Sequence, residues 1–144
     1  MREIVVHVLE DNDERIAGFC KALETLGAGL RLHIERDAPS MIEKPIAFFA
    51  NASLFSLDHD LNATPETKGD PGTGLDVARF LAKIPPICPV IIHSTNAQGA
   101  WSMHNEFRFG GWQVERVGPI GNDWIEKLWL PRVKALLQID RIIG

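Results

Sequence analysis

The 144-residue sequence predicts an α/β fold: a five-stranded, doubly wound parallel sheet in a three-layer sandwich, with residues 1–144 as one domain. Three observations predict it. Short apolar runs alternate with amphipathic stretches five times, which is the order of a strand–helix repeat. The runs Ile4–Leu9, Ser53–Leu57 and Pro89–His93 are apolar at nearly every position, as strands covered on both faces are. Each run then stops abruptly at polar residues: Glu10–Asp11, Asp58–His59–Asp60 and Ser94–Thr95. In open α/β sheets, ligand residues collect at these carboxyl ends of the strands.

The elements follow in order. Ile4–Leu9 is the first buried strand. Asp13–Leu26 places Ile16, Phe19, Cys20, Leu23 and Leu26 at helical spacing, and Gly27 and Gly29 end that helix. Leu30–Arg36 alternates Leu30, Leu32 and Ile34 with Arg31, His33 and Glu35, the pattern of a strand near a sheet edge. Pro39–Ala50 reads as a helix or a broken helix, interrupted by Pro45. Ser53–Leu57 is the second buried strand. Asn62–Gly74, rich in Pro, Gly, Thr and Asp, is a loop. Leu75–Ile84 is helical, Pro89–His93 is the third buried strand, Ala97–Phe107 a helix, and Trp112–Val117 the last strand. A final helix covers about Asp123–Gln138, and Pro131 is expected to kink it.

The charge balance narrows the function. The net charge is −4 and no Lys/Arg-rich block occurs, which argues against a nucleic-acid-binding surface. No apolar run approaches the roughly 20 residues that span a bilayer. Met1–Arg2–Glu3 leads straight into a strand, unlike a signal peptide. Cys20 and Cys88 have neither metal-ligand nor redox-pair spacing, so both are expected to be reduced core residues of a cytoplasmic protein.

Two acidic strand tips side by side would crowd Glu10, Asp11, Asp58 and Asp60. Carboxylates that close are held by a divalent cation or carry raised pKa values. Mg²⁺ or Mn²⁺ at Glu10, Asp11 and Asp58 is the expectation. Helix capping is the competing role, and Asp11 or Asp13 suits it.

The chain resembles the receiver domains of two-component response regulators, which have the flavodoxin-like version of this fold. Leu9–Glu10–Asp11–Asn12 resembles the acidic pair after their first strand, and Leu57–Asp58 their phosphoacceptor aspartate. Gly72–Thr73–Gly74–Leu75–Asp76 resembles the turn before the next helix. Pro89–Val90–Ile91–Ile92–His93–Ser94 resembles the fourth strand with its terminal hydroxyl, and Gly118–Pro119 the end of the fifth. Within that group, Leu57–Asp58–His59–Asp60–Leu61, Thr73–Gly74 and His93–Ser94 are most similar to the divergent cyclic-phosphate-processing receiver-like family.

The resemblance implies that Asp58 is the nucleophile towards a phosphoryl group. It implies that the Ser94 hydroxyl binds a phosphoryl oxygen, or Thr95 if the register shifts by one. Gly74 would allow close approach of a ligand. Two departures stand out. Receivers place a lysine immediately before the proline, where this chain has Gly118; Arg116, two residues back, is a partial substitute. Asp60 is an additional acid, read as a metal ligand, a base for water, or a solvated loop residue. His59 and His93 adjoin site residues, and each is read either as a general acid or as a structural histidine. Trp101, Trp112, Trp124 and Trp129 gather in the last third, as a homodimer face or as core.

Three functions stay open. The first is a signalling module that acts through a histidine kinase or another protein partner. The second is a metal-dependent phosphoesterase acting on a phosphate ester, cyclic phosphates included, with water activated between Asp58 and Asp60. The third is a binding scaffold without phosphorylation.

Overall fold

A computed structural model describes residues 3–27 and 29–139. Met1 and Arg2, read above as the lead into the first strand, lie outside the described residues, as do Ala28 and 140–144. The elements are β1 (Ile4–Leu9), α1 (Asp13–Glu24), β2 (Leu30–Glu35), α2 (Ala38–Ile42), a 3₁₀ turn (Ile46–Phe49) and β3 (Leu54–Leu57). Then come α3 (Gly74–Ala82), β4 (Val90–Ile92), α4 (Ala97–Phe109), β5 (Val114–Arg116), a π-helical turn (Ile125–Trp129) and α5 (Leu130–Leu136). The five strands are all parallel, in the order β2-β1-β3-β4-β5. The strand order reverses beside β1, so the switch point lies between the β1 and β3 tips, where the sequence places Glu10 and Asp58.

Side chains along each strand alternate between two cores. Val6, Val8, Leu54 and Ile91 pack with Phe19 and Leu23 of α1 and with Trp129 and Val133 on the C-terminal helical side. Leu9, Phe55, Leu57, Val90 and Ile92 pack with Met41, Phe49, Val77, Leu81, Met103 and Phe107 on the other face. Both faces are therefore covered, which is why β1, β3 and β4 read as almost entirely apolar runs.

Local chemistry sets the ends of the elements. Asn12 caps α1 by accepting a hydrogen bond from the Arg15 amide, and Asp37 caps α2 through the Ser40 amide. Asp76 and Thr73 form a reciprocal capping box at α3. Pro45 separates α2 from the 3₁₀ turn, as its position in the sequence predicts. Pro131 is the second residue of α5, directly after the π-helical turn. Proline has no N–H for the carbonyl four residues back and its ring crowds that carbonyl; a widened turn absorbs both problems. No described helix is long and apolar enough to cross a membrane.

Candidate functional site

Three side chains form one rung across the sheet. Leu9 of β1, Leu57 of β3 and Ile92 of β4 are in register. The next residue on each strand is Glu10, Asp58 and His93, and the amides of Asp58 and His93 continue the ladder onto Leu9 and Leu57. By alternation all three point to the α1/α5 side. They are buried at 0%, 5% and 0% exposure, and each offers a ligand atom within 4.8 Å of the others.

The rung is electrostatically divided. Burial alone would raise the Glu10 carboxyl. The hydrogen bond and charge of His93, the Asn12 amide and Arg15 together outweigh that and hold it below the ordinary range. Asp58 is pushed up to about 6, chiefly by burial and by the nearby Glu10 charge, against the opposing pull of His93, the His59 amide and Arg15. Asp58 Oδ1 accepts from the His59 amide at 2.7 Å, and its Oδ2 faces Arg15 Nη1 at 3.5 Å. A buried acid that compensated poorly suits a hard cation, because a divalent ion would neutralise both carboxylates at once.

The other expected residues are placed as follows. Asp11 is half-buried beside Glu10; its carboxylate accepts from the Asn62 amide at 2.6 Å, and its pKa is raised by burial and by Glu10. Asp13, exposed, pairs with Arg36, and Asn12 rather than an acid caps α1. Asp60 is turned away from the rung. Its Oδ1 lies 2.7 Å from His59 Nδ1 and accepts from Asn96 Nδ2 at 3.1 Å, which lowers its pKa. Gly74 donates its amide to the His59 carbonyl, and its Cα sits directly against the Asp58 carbonyl, where a side chain would collide. Ser94 is buried and accepts from the Asn96 amide, while Thr95 is exposed. Ser94 also lines a cleft of about 490 Å³ with His104, Arg116 and Gly118.

Arg116, the partial substitute expected from the sequence, is engaged by an aromatic ring. Its guanidinium stacks over the Trp101 ring, 4.5 Å from the centroid. The cation at Asp58 comes instead from Arg15 on α1, which the sequence reading did not single out. The missed signal was helical position: Arg15 is in the first turn after the acidic tip, one turn ahead of the core residue Phe19. Ser56 was missed too, as was the bond that Trp129, one of the expected core tryptophans, makes to it. Both residues are buried and bonded to each other, and Ser56 is bonded to His93. Of the tryptophans, Trp112, Trp124 and Trp129 are core, whereas Trp101 is 46% exposed. Cys20 and Cys88 are unpaired and half-buried.

Solved structures of response-regulator domains share this fold. The phosphorylated cyanobacterial phytochrome response regulator RcpA superposes with a TM-score of 0.68 at 17% identity, over 99% of this chain and all of that one. The response regulator domain of Thermotoga maritima CheB gives 0.63 at 16%, over 97% and 100%. The isolated REC domain of Salmonella enterica serovar Typhimurium RcsB, solved with BeF₃⁻, gives 0.62 at 17%, over 97% and 91%. At these identities the likeness is one of fold. No curated protein matches the chain in sequence. The profile of the cyclic-phosphate processing receiver domain matches residues 33–109, just over half the chain, from β2 through α4 with Asp58, Asp60, Gly74, His93 and Ser94 inside it. The chain belongs to the cyclic-phosphate processing receiver domain family, and it shares its fold with response-regulator domains.

Proposed function

We propose that this receiver domain handles a phosphoryl group at Asp58 and signals through a protein partner. The observation that carries the reading is the Arg15 guanidinium beside Asp58, at 3.5 Å from Oδ2 and 3.7 Å from Glu10. It supplies a positive charge that position 118 does not. With a pKa of about 6, Asp58 is mostly ionised at neutral pH and competent as a nucleophile. Its carboxylate forms a bond to phosphorus while the bond from phosphorus to the donor's leaving group breaks. Mg²⁺ would be held by Glu10 and Asp58, with Asp11 at the rim. When bound it would neutralise charge on the phosphoryl oxygens. Arg15 orients and balances the incoming group, and Ser94 is the hydroxyl nearest in sequence to the rung for a phosphoryl oxygen.

The test is intact-mass spectrometry after incubation with acetyl phosphate and MgCl₂. One phosphoryl group should appear on the wild type and none on Asp58→Asn. An unmodified wild type would sink the reading.

One observation favours a second reading, a phosphoesterase. His59 Nδ1 is held by Asp60, as a carboxylate holds a catalytic histidine in one tautomer. In that reading His59 carries the proton and Asp60 orients it, so water is not activated between Asp58 and Asp60. Mg²⁺-dependent turnover of a cyclic nucleotide, lost in His59→Ala with no covalent adduct on Asp58, would favour it.

A further inference from the structure

A line of buried polar groups runs from the C-terminal helical segment to the acidic rung. Trp129 Nε1 lies 2.9 Å from Ser56 Oγ. Ser56 Oγ lies 2.7 Å from His93 Nδ1, and His93 Nε2 lies 3.0 Å from Glu10 Oε1. All four side chains are completely buried.

The donor inventory assigns the protons. An indole N–H only donates, and an ionised carboxylate only accepts. Glu10 accepts from the Asn12 amide through Oε2 and faces the Arg15 guanidinium through Oε1, so Nε2 must carry the proton that faces it. Trp129 donates to Ser56 Oγ, whose single hydrogen is then free to go to Nδ1. A doubly protonated ring would turn the Ser56 hydroxyl but would still keep the proton on Nε2. In neither state does Nε2 present a lone pair towards Asp58. Phe19 and Trp124 close on the ring, with centroids 4.9 and 6.0 Å away, which fixes its plane.

We infer that His93 is a positioning residue rather than a metal ligand: Ser56 and Trp129 lock it as a proton donor to Glu10, which leaves the rung an all-oxygen site that prefers Mg²⁺ to imidazole-seeking ions such as Zn²⁺. Although Nε2 lies within ligand reach of both acids, its proton occupies the direction a metal would need. Oxygen-only donor sets suit Mg²⁺, whereas an available imidazole favours zinc. A hydrogen bond to a ligating carboxylate from the next shell fixes that carboxylate's orientation. The metal part of this inference rests on the proposed Mg²⁺ site; the proton assignment does not.

The experiment is long-range ¹H–¹⁵N correlation of the histidine rings in the full chain, first in chelator, then with MgCl₂, then with ZnCl₂. His93→Gln, which keeps an N–H donor for Glu10, assigns the His93 signals by their loss. The expected result is a protonated Nε2 in the metal-free chain, unchanged when Mg²⁺ saturates the site by calorimetry. Ser56→Ala should unlock the ring and raise the Zn²⁺-to-Mg²⁺ affinity ratio about tenfold or more. A bare Nε2 in chelator would overturn the inference, as would loss of its proton on Mg²⁺ saturation or an unchanged ratio in Ser56→Ala. Failure of the wild type to bind Mg²⁺ would overturn the all-oxygen site and the proposed metal together. A protonated Nε2 in that same sample would still uphold the positioning of Glu10, so the two failures are distinguishable.

Discussion

Arg15 Nη1 lies 3.5 Å from Asp58 Oδ2, so α1 delivers a cation to the tip of β3 from the opposite side to Gly118. The same guanidinium sits 5.5 Å from the centroid of Trp124, which in turn stacks on His93. Arg15 is therefore braced by an aromatic face while it meets the acids. A planar guanidinium keeps its charge and can meet two oxygens at once; an ammonium is a point charge on a flexible stem. A space for the second exists at Gly118, where an added Cβ would meet only Ile120, at 3.7 Å.

Arg15→Ala should slow modification of Asp58 by acetyl phosphate about tenfold, the loss expected when one charge-assisted contact to the transferring group is removed. Arg15→Lys should retain part of the rate. In the Arg15→Ala background, Gly118→Lys should recover modification, because it restores a cation from β5. Intact-mass time courses measure all three. An Arg15→Ala variant as fast as wild type would show that the guanidinium is only a structural partner of the acids.

Asp58→Asn should stabilise the metal-free protein at neutral pH. The folded-state pKa of about 6 lies above the ordinary value of 3.8, so ionising Asp58 costs the folded state about 2–3 kcal/mol once the pH is well above 6. An amide removes that cost and keeps an oxygen for the His59 amide, but it gives up the Arg15 pair. The net gain should be about 1–2 kcal/mol in chelator, read by urea unfolding at pH 7.5. It should vanish with saturating MgCl₂ if the wild type binds the ion. A destabilised variant in chelator would show that the Arg15 pair outweighs the burial of the charge.

His7 sets an acid limit on stability. Its side chain is buried, stacks on His33 and Phe55, and leaves Nε2 without a partner. Burial, and next the His33 charge, pull its pKa from 6.5 down to about 4. Between those values the unfolded chain binds the proton and the folded chain does not. The stability is therefore complete above about pH 6.5 and is lost as the pH falls towards 4. At pH 4.5 the loss is about 2–3 kcal/mol, from roughly two pKa differences of 1.36 kcal/mol each. His7→Phe fits the aromatic surroundings of Phe48, Phe49 and Phe55 and should remove this loss. Asp58 titrates in the opposite sense over the same range, so the readout is the difference between variant and wild-type unfolding curves from pH 4.5 to 7. An unchanged difference would show that the pocket admits the charged ring.

The sequence made the fold legible because its strongest signals are local. Doubly covered strands read as nearly apolar runs at Ile4–Leu9 and Ser53–Leu57, interrupted only by His7, Ser53 and Ser56, and Pro45 broke the segment where the structure breaks. Asp58 and Glu10 were legible because acids after such runs fall at strand tips. The partners of those acids were not legible, because register is non-local. Neighbours on a strand point to opposite faces, which separates His93 from Ser94 but says nothing of which β3 residue stands beside His93. The pairing of Leu57 with Ile92 settles that and puts His93 beside Asp58. Arg15 depended on the tilt of α1 against the sheet, and Trp129 on a π-helical turn that no spacing announces. Asp60 shares strand parity with Asp58, yet the chain leaves the strand after Leu57, and a bridge to Thr73 redirects it.

Two glycines near the site should respond differently to alanine. At Gly74 a Cβ would collide with the Asp58 backbone carbonyl and also meet Met103 Cε at 2.8 Å. Backbone at the root of the site cannot yield without breaking the bond from the Gly74 amide to His59, so Gly74→Ala should cost about 3 kcal/mol or more. At Gly99 the obstacle is the His59 ring, 2.6 Å from the new Cβ, and a side chain on a strand tip can rotate away. Alanine is also the better helix residue inside α4, by about 1 kcal/mol. Gly99→Ala should therefore shift the unfolding midpoint little while it displaces His59 from Asp60, a contact the ring ¹⁵N shifts of His59 report. Labelling of Asp58 by acetyl phosphate should persist in Gly99→Ala, since neither Arg15 nor Glu10 is touched. Turnover of a cyclic phosphate should fall about tenfold or more if His59 carries the proton there. Loss of labelling with intact turnover would reverse both assignments.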